Sequence, residues 1–206
     1  FTECTGMSIQ NPQTRRQAQT RQDIIHNARC MIIKEGIGGL SIRAVADSIN
    51  YTPGALYKYF GSKDELIDAV RADCFARLNT FILERIQSAS DPADLLLQGG
   101  MAYIEYAGLH PQEYHLMFNM EPSWATSGEQ RAIAMHSLLQ IVRHGIEQGR
   151  FVPGPDYDAA SIAYHCWATV HGIASLQTTV LRDERKGLLT MSRVILQKVI
   201  AGFAVK

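Results

Sequence analysis

Residues 51–63 read YTPGALYKYFGSK, and Pro53 decides how they fold. Proline has no N–H and a fixed φ, so it suits the first position of a helix, where the missing donor costs nothing. Thr52 before it is a natural N-cap. The Pro-Gly pair therefore opens a short helix, about 53–60, and does not close a hairpin. Leu56 and Phe60, four apart, face inward, which leaves Tyr57 and Lys58 pointing out. Ser62-Lys63-Asp64-Glu65 then forms a capping box, with Ser62 as N-cap and Glu65 three residues on. It starts a long helix, about 63–88, carrying Leu66, Ile67, Val70, Cys74, Leu78, Phe81, Ile82 and Ile86 at helical spacing.

The rest of the chain follows the same period. Residues 14–35 are basic first and then apolar at Ile24, Ala28, Met31 and Ile32, stopping at Gly36. Ser41 caps a short helix with Ile42, Val45, Ala46 and Ile49 on one side, and Asn50-Tyr51 is its turn. Further helices are expected from Pro92 to about Leu109, from Pro111, near 128–149, at about 157–181 and at about 187–204. The expected fold is all-α with about nine helices: a three-helix N-terminal domain over 14–62 and a helical C-terminal domain over 63–206.

The 206 residues are 46% hydrophobic and carry no formal net charge. The charge is unevenly spread. Residues 1–60 hold seven Lys/Arg against four acids, net +3, which leaves −3 on the remainder. A basic end fits a polyanion partner. Cys4, Cys30, Cys74 and Cys166 form no C-x-x-C pair, so free thiols in a reducing cytoplasm are expected. No apolar run is long enough for a membrane span. The start shows no charged-then-apolar leader, so no signal peptide is expected, and residues 1–6 are set aside from fold reasoning.

Two short helices at about 41–49 and 53–60, joined by a tight turn, have the dimensions of a helix-turn-helix. In that motif the second helix leads into the DNA major groove. Gly54 and Ala55 at its tip let the backbone come close. Arg43 has the reach for a guanine edge or a phosphate. Tyr59 and Lys63 offer a phenol O–H and an ammonium to a phosphate, and Ser41 and Thr52 expose hydroxyls beside helix N-terminal amides.

Residues 52–66, TPGALYKYFGSKDEL, closely resemble the signature of the TetR family of transcriptional regulators. The resemblance reaches back through Asp23-Ile24-Ile25, Ala28, Glu35-Gly36, Ser41-Ile42-Arg43 and Val45-Ala46, and covers about residues 20–70. One departure is Asn50, where the family usually has Gly; Asn is the next-best residue for a left-handed turn. The resemblance implies a homodimer on a palindromic operator in double-stranded DNA, with repression relieved by a small molecule. Carried over by position, Arg43 and Lys58 are candidates for base contact. Ser41, Thr52, Tyr57, Tyr59 and Lys63 are candidates for phosphate contact, with Gly54 and Ala55 at the approach. Arg15, Arg16 and Arg21 read either as a basic arm or as a solvated helix end.

In the C-terminal half, Trp167, Val170, His171 and Ala174 share a helix face, and W-x-x-x-H-G resembles a Trp-His-Gly subgroup of that family. Met101, Tyr103, Tyr106, Met117, Phe118, Met120, Trp124, Met135, Trp167 and His171 are candidate walls of an effector cavity, since soft and aromatic side chains suit apolar ligands. For each of them plain core packing is the competing reading. Glu105, inside the run AYIEYAGL, is a candidate cavity carboxylate or a solvated residue. Ala159, Ala160, Ala163, Ala168 and Gly172, with Leu188, Met191, Ile195, Val199 and Phe203, are expected to form a two-fold four-helix interface.

The histidines show no metal-ligand spacing, and H-E-x-x-H, nucleophile-elbow and P-loop motifs are absent from the sequence. The expected function is a ligand-responsive repressor without cofactor or metal. An activator, a ligand-independent regulator, or a thiol redox sensor using Cys74 or Cys166 are alternatives, with an enzyme more remote.

Overall fold

The computed structural model describes residues 11–118, 127–181 and 187–205, with the backbone alone over 127–134. Among them are nine helices and no strand: α1 (Pro12–Gly39), α2 (Ile42–Ser48), α3 (Pro53–Leu56), α4 (Lys63–Ile86), α5 (Pro92–Leu109), α6 (Pro111–Phe118), α7 (Ser127–Glu147), α8 (Ala159–Thr178) and α9 (Leu188–Ala201). Contacts divide the chain into two units, residues 1–70 and 71–206, with the division falling inside α4.

The first unit is built around α1. Ile24, Ile25, Ala28 and Ile32 recur at three- and four-residue spacing and are buried, as are Val45 and Ala46 of α2 and Leu56 and Phe60 around α3. Gly36 breaks the helical conformation of α1 at φ 74°. A left-handed φ favours glycine, which is why the pattern stops there. The Arg21 guanidinium lies over the Phe60 ring, 4.8 Å from its centroid. Arg15, Arg16 and Arg21 are all exposed, and Arg21 in addition links α1 to the α3 turn through that ring.

In the second unit α5 is the central helix, packed by α6, α7, α8 and α9. Leu96, Val142, Ile162, Ala163, Cys166, Ile200 and Phe203 form its core with Phe151. The segment after α7 closes on the C-terminus: Val152 N–H donates to the Phe203 carbonyl at 2.8 Å, and the Phe151 and Phe203 rings meet edge-on at 5.1 Å. Arg150 pairs with Asp91, the N-cap of α5.

The residues of α4 from Arg71 onward reach α5 and α6 largely through long side chains. Arg71 Nε donates to the Leu116 carbonyl at 3.2 Å. Arg77 Nε donates to Glu113 Oε2 at 3.3 Å, and the Tyr106 hydroxyl donates to the same buried carboxylate oxygen. Arg85 lies on the Phe81 ring and donates to Glu105 Oε2 at 3.0 Å.

Two glycines of this unit differ in what surrounds them. A Cβ on Gly145 would fall inside the van der Waals envelope of the buried Phe151 ring, whereas one on Gly99 would meet Ile82 and Ile86 at 3.7 and 3.8 Å. Gly145→Ala should therefore cost about 1–3 kcal/mol in urea unfolding. Gly99→Ala should be neutral or stabilising by up to about 1 kcal/mol, from helix propensity.

Candidate nucleic-acid interface and effector cavity

The DNA-reading candidates are held in place by caps. Ser41 Oγ accepts from Ala44 N–H at 3.4 Å and Thr52 Oγ1 from Ala55 N–H at 3.3 Å. Each cap uses the hydroxyl oxygen as an acceptor and leaves its O–H to donate outward. Asn50 takes φ 58°, the left-handed turn expected of it, and Tyr51 N–H returns to the Ala46 carbonyl at 2.9 Å. Thr20 Oγ1 lies 3.4 Å from the Tyr51 hydroxyl, which fixes the turn to α1.

The α-helix after Pro53 is shorter than the expected 53–60. It spans four residues and then tightens: Lys58 N–H bonds the Ala55 carbonyl and Tyr59 N–H the Leu56 carbonyl, both three residues back. That tightening still leaves Leu56 and Phe60 buried. Arg43, Lys58 and Gly54 are exposed, Tyr57 is 53% exposed, and Ala55, Tyr59 and Lys63 are half-buried. Nothing lies within 4 Å of where a Gly54 Cβ would be. No neighbour inside the chain demands a glycine there, so the clearance faces outward.

The capping box forms with one change. Glu65 N–H donates to Ser62 Oγ at 3.0 Å, but the returning Glu65 carboxylate takes the N–H of Gly61, at 2.6 Å, one residue ahead of the cap. The same carboxylate still ties the end of the recognition turn to the start of α4.

The second unit contains a cavity of about 540 Å³. From α4 it is lined by Phe75, Leu78, Asn79, Ile82, Leu83 and Ile86; from α5 by Leu95, Leu96, Gly99, Gly100 and Tyr103; from α8 by Cys166, Trp167 and Val170. Residues 135–138, 140 and 141 of α7 complete the described wall. Of the sequence candidates, Tyr103, Met135 and Trp167 are brought together here.

His171 sits behind that wall. Its Nδ1 lies 3.1 Å from the Tyr103 hydroxyl and 2.8 Å from that of Tyr114, and Trp167 stacks on its ring at 5.3 Å. Phe118 packs its edge on His171 and also meets Phe75 and Tyr114, so it backs the wall without lining it. Met101, Tyr106 and Met117 are likewise absent from the lining. Tyr106 is buried against Glu113, and Met117 is buried.

Glu105 is not a cavity carboxylate. It is partly solvated and paired with Arg85, because its helix position projects to the side of α5 where α4 offers a guanidinium. Met120 and Trp124 lie outside the described residues. The wall residues that sequence reasoning did not single out include the α4 stripe and the Gly99-Gly100 pair. Their spacing was visible, but an apolar stripe reads alike whether a neighbour or a cavity covers it.

Burial lowers His171 below its ordinary 6.5, so the folded chain keeps the ring neutral. The unfolded chain binds the proton first as pH falls. The contribution is therefore full above about pH 6.5 and is lost as pH drops through the lower folded value. The urea midpoint should fall between about pH 7 and about pH 5.5, and His171→Asn should remove part of that fall.

Two family profiles match the chain: "Bacterial regulatory proteins, tetR family" over residues 24–70, and "Tetracyclin repressor-like, C-terminal domain" over residues 96–180. The HTH-type transcriptional repressor KstR2 of Mycobacterium tuberculosis is 23% identical over 144 residues, 67% of this chain and 72% of that protein. An uncharacterized HTH-type transcriptional regulator of the same species, Rv0681, is 26% identical over 172 residues, 80% of this chain and 73% of that one. Among solved structures, a protein of unknown function from Rhodococcus sp. RHA1 superposes with TM-score 0.78 at 25% identity, covering 90% of this chain and 95% of that one. The ketosteroid transcriptional regulator KstR2 shares the fold at TM-score 0.58 and 20% identity, over 91% of this chain and 96% of that one. Both profiles fall on the two units described above, and the chain belongs to the TetR family, whose members are transcription regulators and not enzymes.

Proposed function

We propose that this regulator is a repressor that binds a palindromic operator as a homodimer and is released when a small, largely apolar effector fills the α4–α5–α7–α8 cavity. The observation that carries the reading is a single helix with two duties. At its start α4 is capped by Ser62 and bound through Glu65 to Gly61 at the end of the recognition turn. Further along, the same helix presents Phe75 to Ile86 to the cavity. A ligand that binds one placement of α4 better than another shifts the equilibrium between them, and only that difference in affinity does work. The name of the related KstR2, a repressor, supports the sign of regulation.

The two-fold pairing rests on exposed apolar surface. On α8 and just beyond it, Ala160, Tyr164, Ala168, Gly172, Leu176 and Val180 recur every four residues and are all exposed. On α9, Leu189, Met191, Val194 and Ile195 are exposed. Within the expected interface set, Ala163, Leu188 and Phe203 are corrected: each is buried within the chain, so they support the helices instead of facing a partner. Ala160, Ala168, Gly172, Met191 and Ile195 of that set are exposed.

A thiol sensor is disfavoured. Cys74 is fully buried, and burial pushes the Cys166 thiol up to about 11, away from the reactive thiolate. Exposed Cys30 has His26 beside it at 3.7 Å but lies in neither candidate site.

The test is selection of random duplex DNA by the purified protein, followed by a salt titration on the enriched site. A palindrome with a steep salt slope is expected; no enriched site with ligand-free protein would overturn the reading. Arg43→Ala should relax base preference by about 1–3 kcal/mol at one position per half-site. Lys63→Ala should weaken all sequences alike and reduce the salt slope by about one per half-site. Tyr164→Glu should yield a monomer by light scattering and lose the operator.

A further inference from the structure

The cavity wall is apolar almost throughout, and its described residues include no Lys, Arg, Asp or Glu. Burying a carboxylate or phosphate there would leave it without a compensating cation, at a cost that ordinary apolar contact does not offset. Its polar groups are few, and most are already engaged. His136 and Gln140 pair with each other at 3.1 Å, and the Tyr103 hydroxyl turns to His171. Ser137 also has a partner.

Asn79 is different. It lies on the cavity face of α4, one turn from Phe75 on one side and from Ile82 and Leu83 on the other. Among the described residues its side-chain amide has no hydrogen-bond partner, so two donors and an acceptor stand in an apolar wall unanswered. Such a group costs stability unless water or a ligand answers it. Asparagine is also a mediocre helix former, so propensity gives no reason for it mid-helix.

We propose that Asn79 is the polar anchor of the effector site, and that the effector is an uncharged, elongated apolar molecule bearing a carbonyl or hydroxyl, such as an ester, ketone or alcohol. This rests on the effector-cavity reading above and names the chemistry of its ligand. At about 30 Å³ for each water-sized group, the cavity holds on the order of 20 non-hydrogen atoms. The Asn79 amide can donate to a carbonyl or both donate to and accept from a hydroxyl. The aliphatic residues around it take the hydrocarbon. The described wall offers the head of a free acid or a coenzyme A thioester no Lys or Arg, so both are expected to bind more weakly than the uncharged molecule.

The test uses four probes of one chain length: methyl laurate, laurate, dodecane and lauroyl-coenzyme A. Binding to the whole protein is measured by calorimetry, beside operator binding in the same buffer. Methyl laurate is expected to bind more tightly than laurate or the thioester. Asn79→Leu, which keeps the size and removes the amide, should weaken methyl laurate about tenfold and leave dodecane unchanged. An unchanged helical far-UV spectrum and a cooperative thermal melt in that variant show that it folds. If laurate or the thioester binds more tightly than the ester, the uncharged class is overturned while the cavity reading stands. Equal ester affinity in wild type and Asn79→Leu overturns the anchor alone. Binding of none of the four overturns both the ligand class and the cavity reading.

Discussion

The second unit depends on how α4 is held at a distance. A helix laid directly on α5 would bury its apolar stripe and leave no room. Instead, arginines at positions 71, 77 and 85 span the gap to the Leu116 carbonyl, Glu113 and Glu105. Those attachments, with the edge-on contact of Phe81 and Tyr106, position α4 while one side of Phe75, Leu78, Ile82 and Ile86 lines the cavity. The arrangement costs stability, because the walls of an unfilled cavity lack dispersion partners on one side.

Of those three ties, the one from Arg71 to the Leu116 carbonyl is buried throughout, and the one from Arg77 ends on the buried carboxylate of Glu113. That carboxylate is 3% exposed and receives both Arg77 and Tyr106. A buried charge with two donors on one oxygen is costly to disturb, since losing either donor leaves the carboxylate less satisfied. Arg85 with Glu105 is nearer solvent and correspondingly weaker. The ties are therefore unequal: Glu113 is a buried carboxylate under two donors, whereas the Arg85–Glu105 pair is partly exposed.

The DNA-reading end obeys a different economy. Its helices are too short to be stable alone, and their termini carry a large share of the backbone groups. Ser41, Thr52 and Ser62 each accept one terminal N–H. Leu56 and Phe60 anchor the recognition turn from beneath. What remains outward is Arg43, Tyr57, Lys58 and the bare backbone at Gly54. Each cap uses only a lone pair of the hydroxyl oxygen, so the proton stays available to an acceptor outside the chain.

Local chemistry was legible in the sequence. Caps, Pro53, Gly36, the Asn50 turn and the helical period act within a few residues, so the order of helices and the DNA-reading elements could be read directly. Even there, the exact hydrogen-bond partner of Glu65 was one residue off, since either neighbouring N–H is within reach of its carboxylate. The cavity was not legible. Phe75 to Ile86 has the same spacing whether it meets a helix or a void, and Glu105 has the same neighbours in sequence whether it faces ligand, water or Arg85. The exposed side of α8 was only partly legible for the same reason: Ala160, Ala168 and Gly172 are exposed but Ala163 is buried, because α8 is apolar on most sides and its packing on α5 and α7 decides which side stays open. Periodicity states which residues share a face of a helix; what covers that face is set by contacts between segments far apart in the chain.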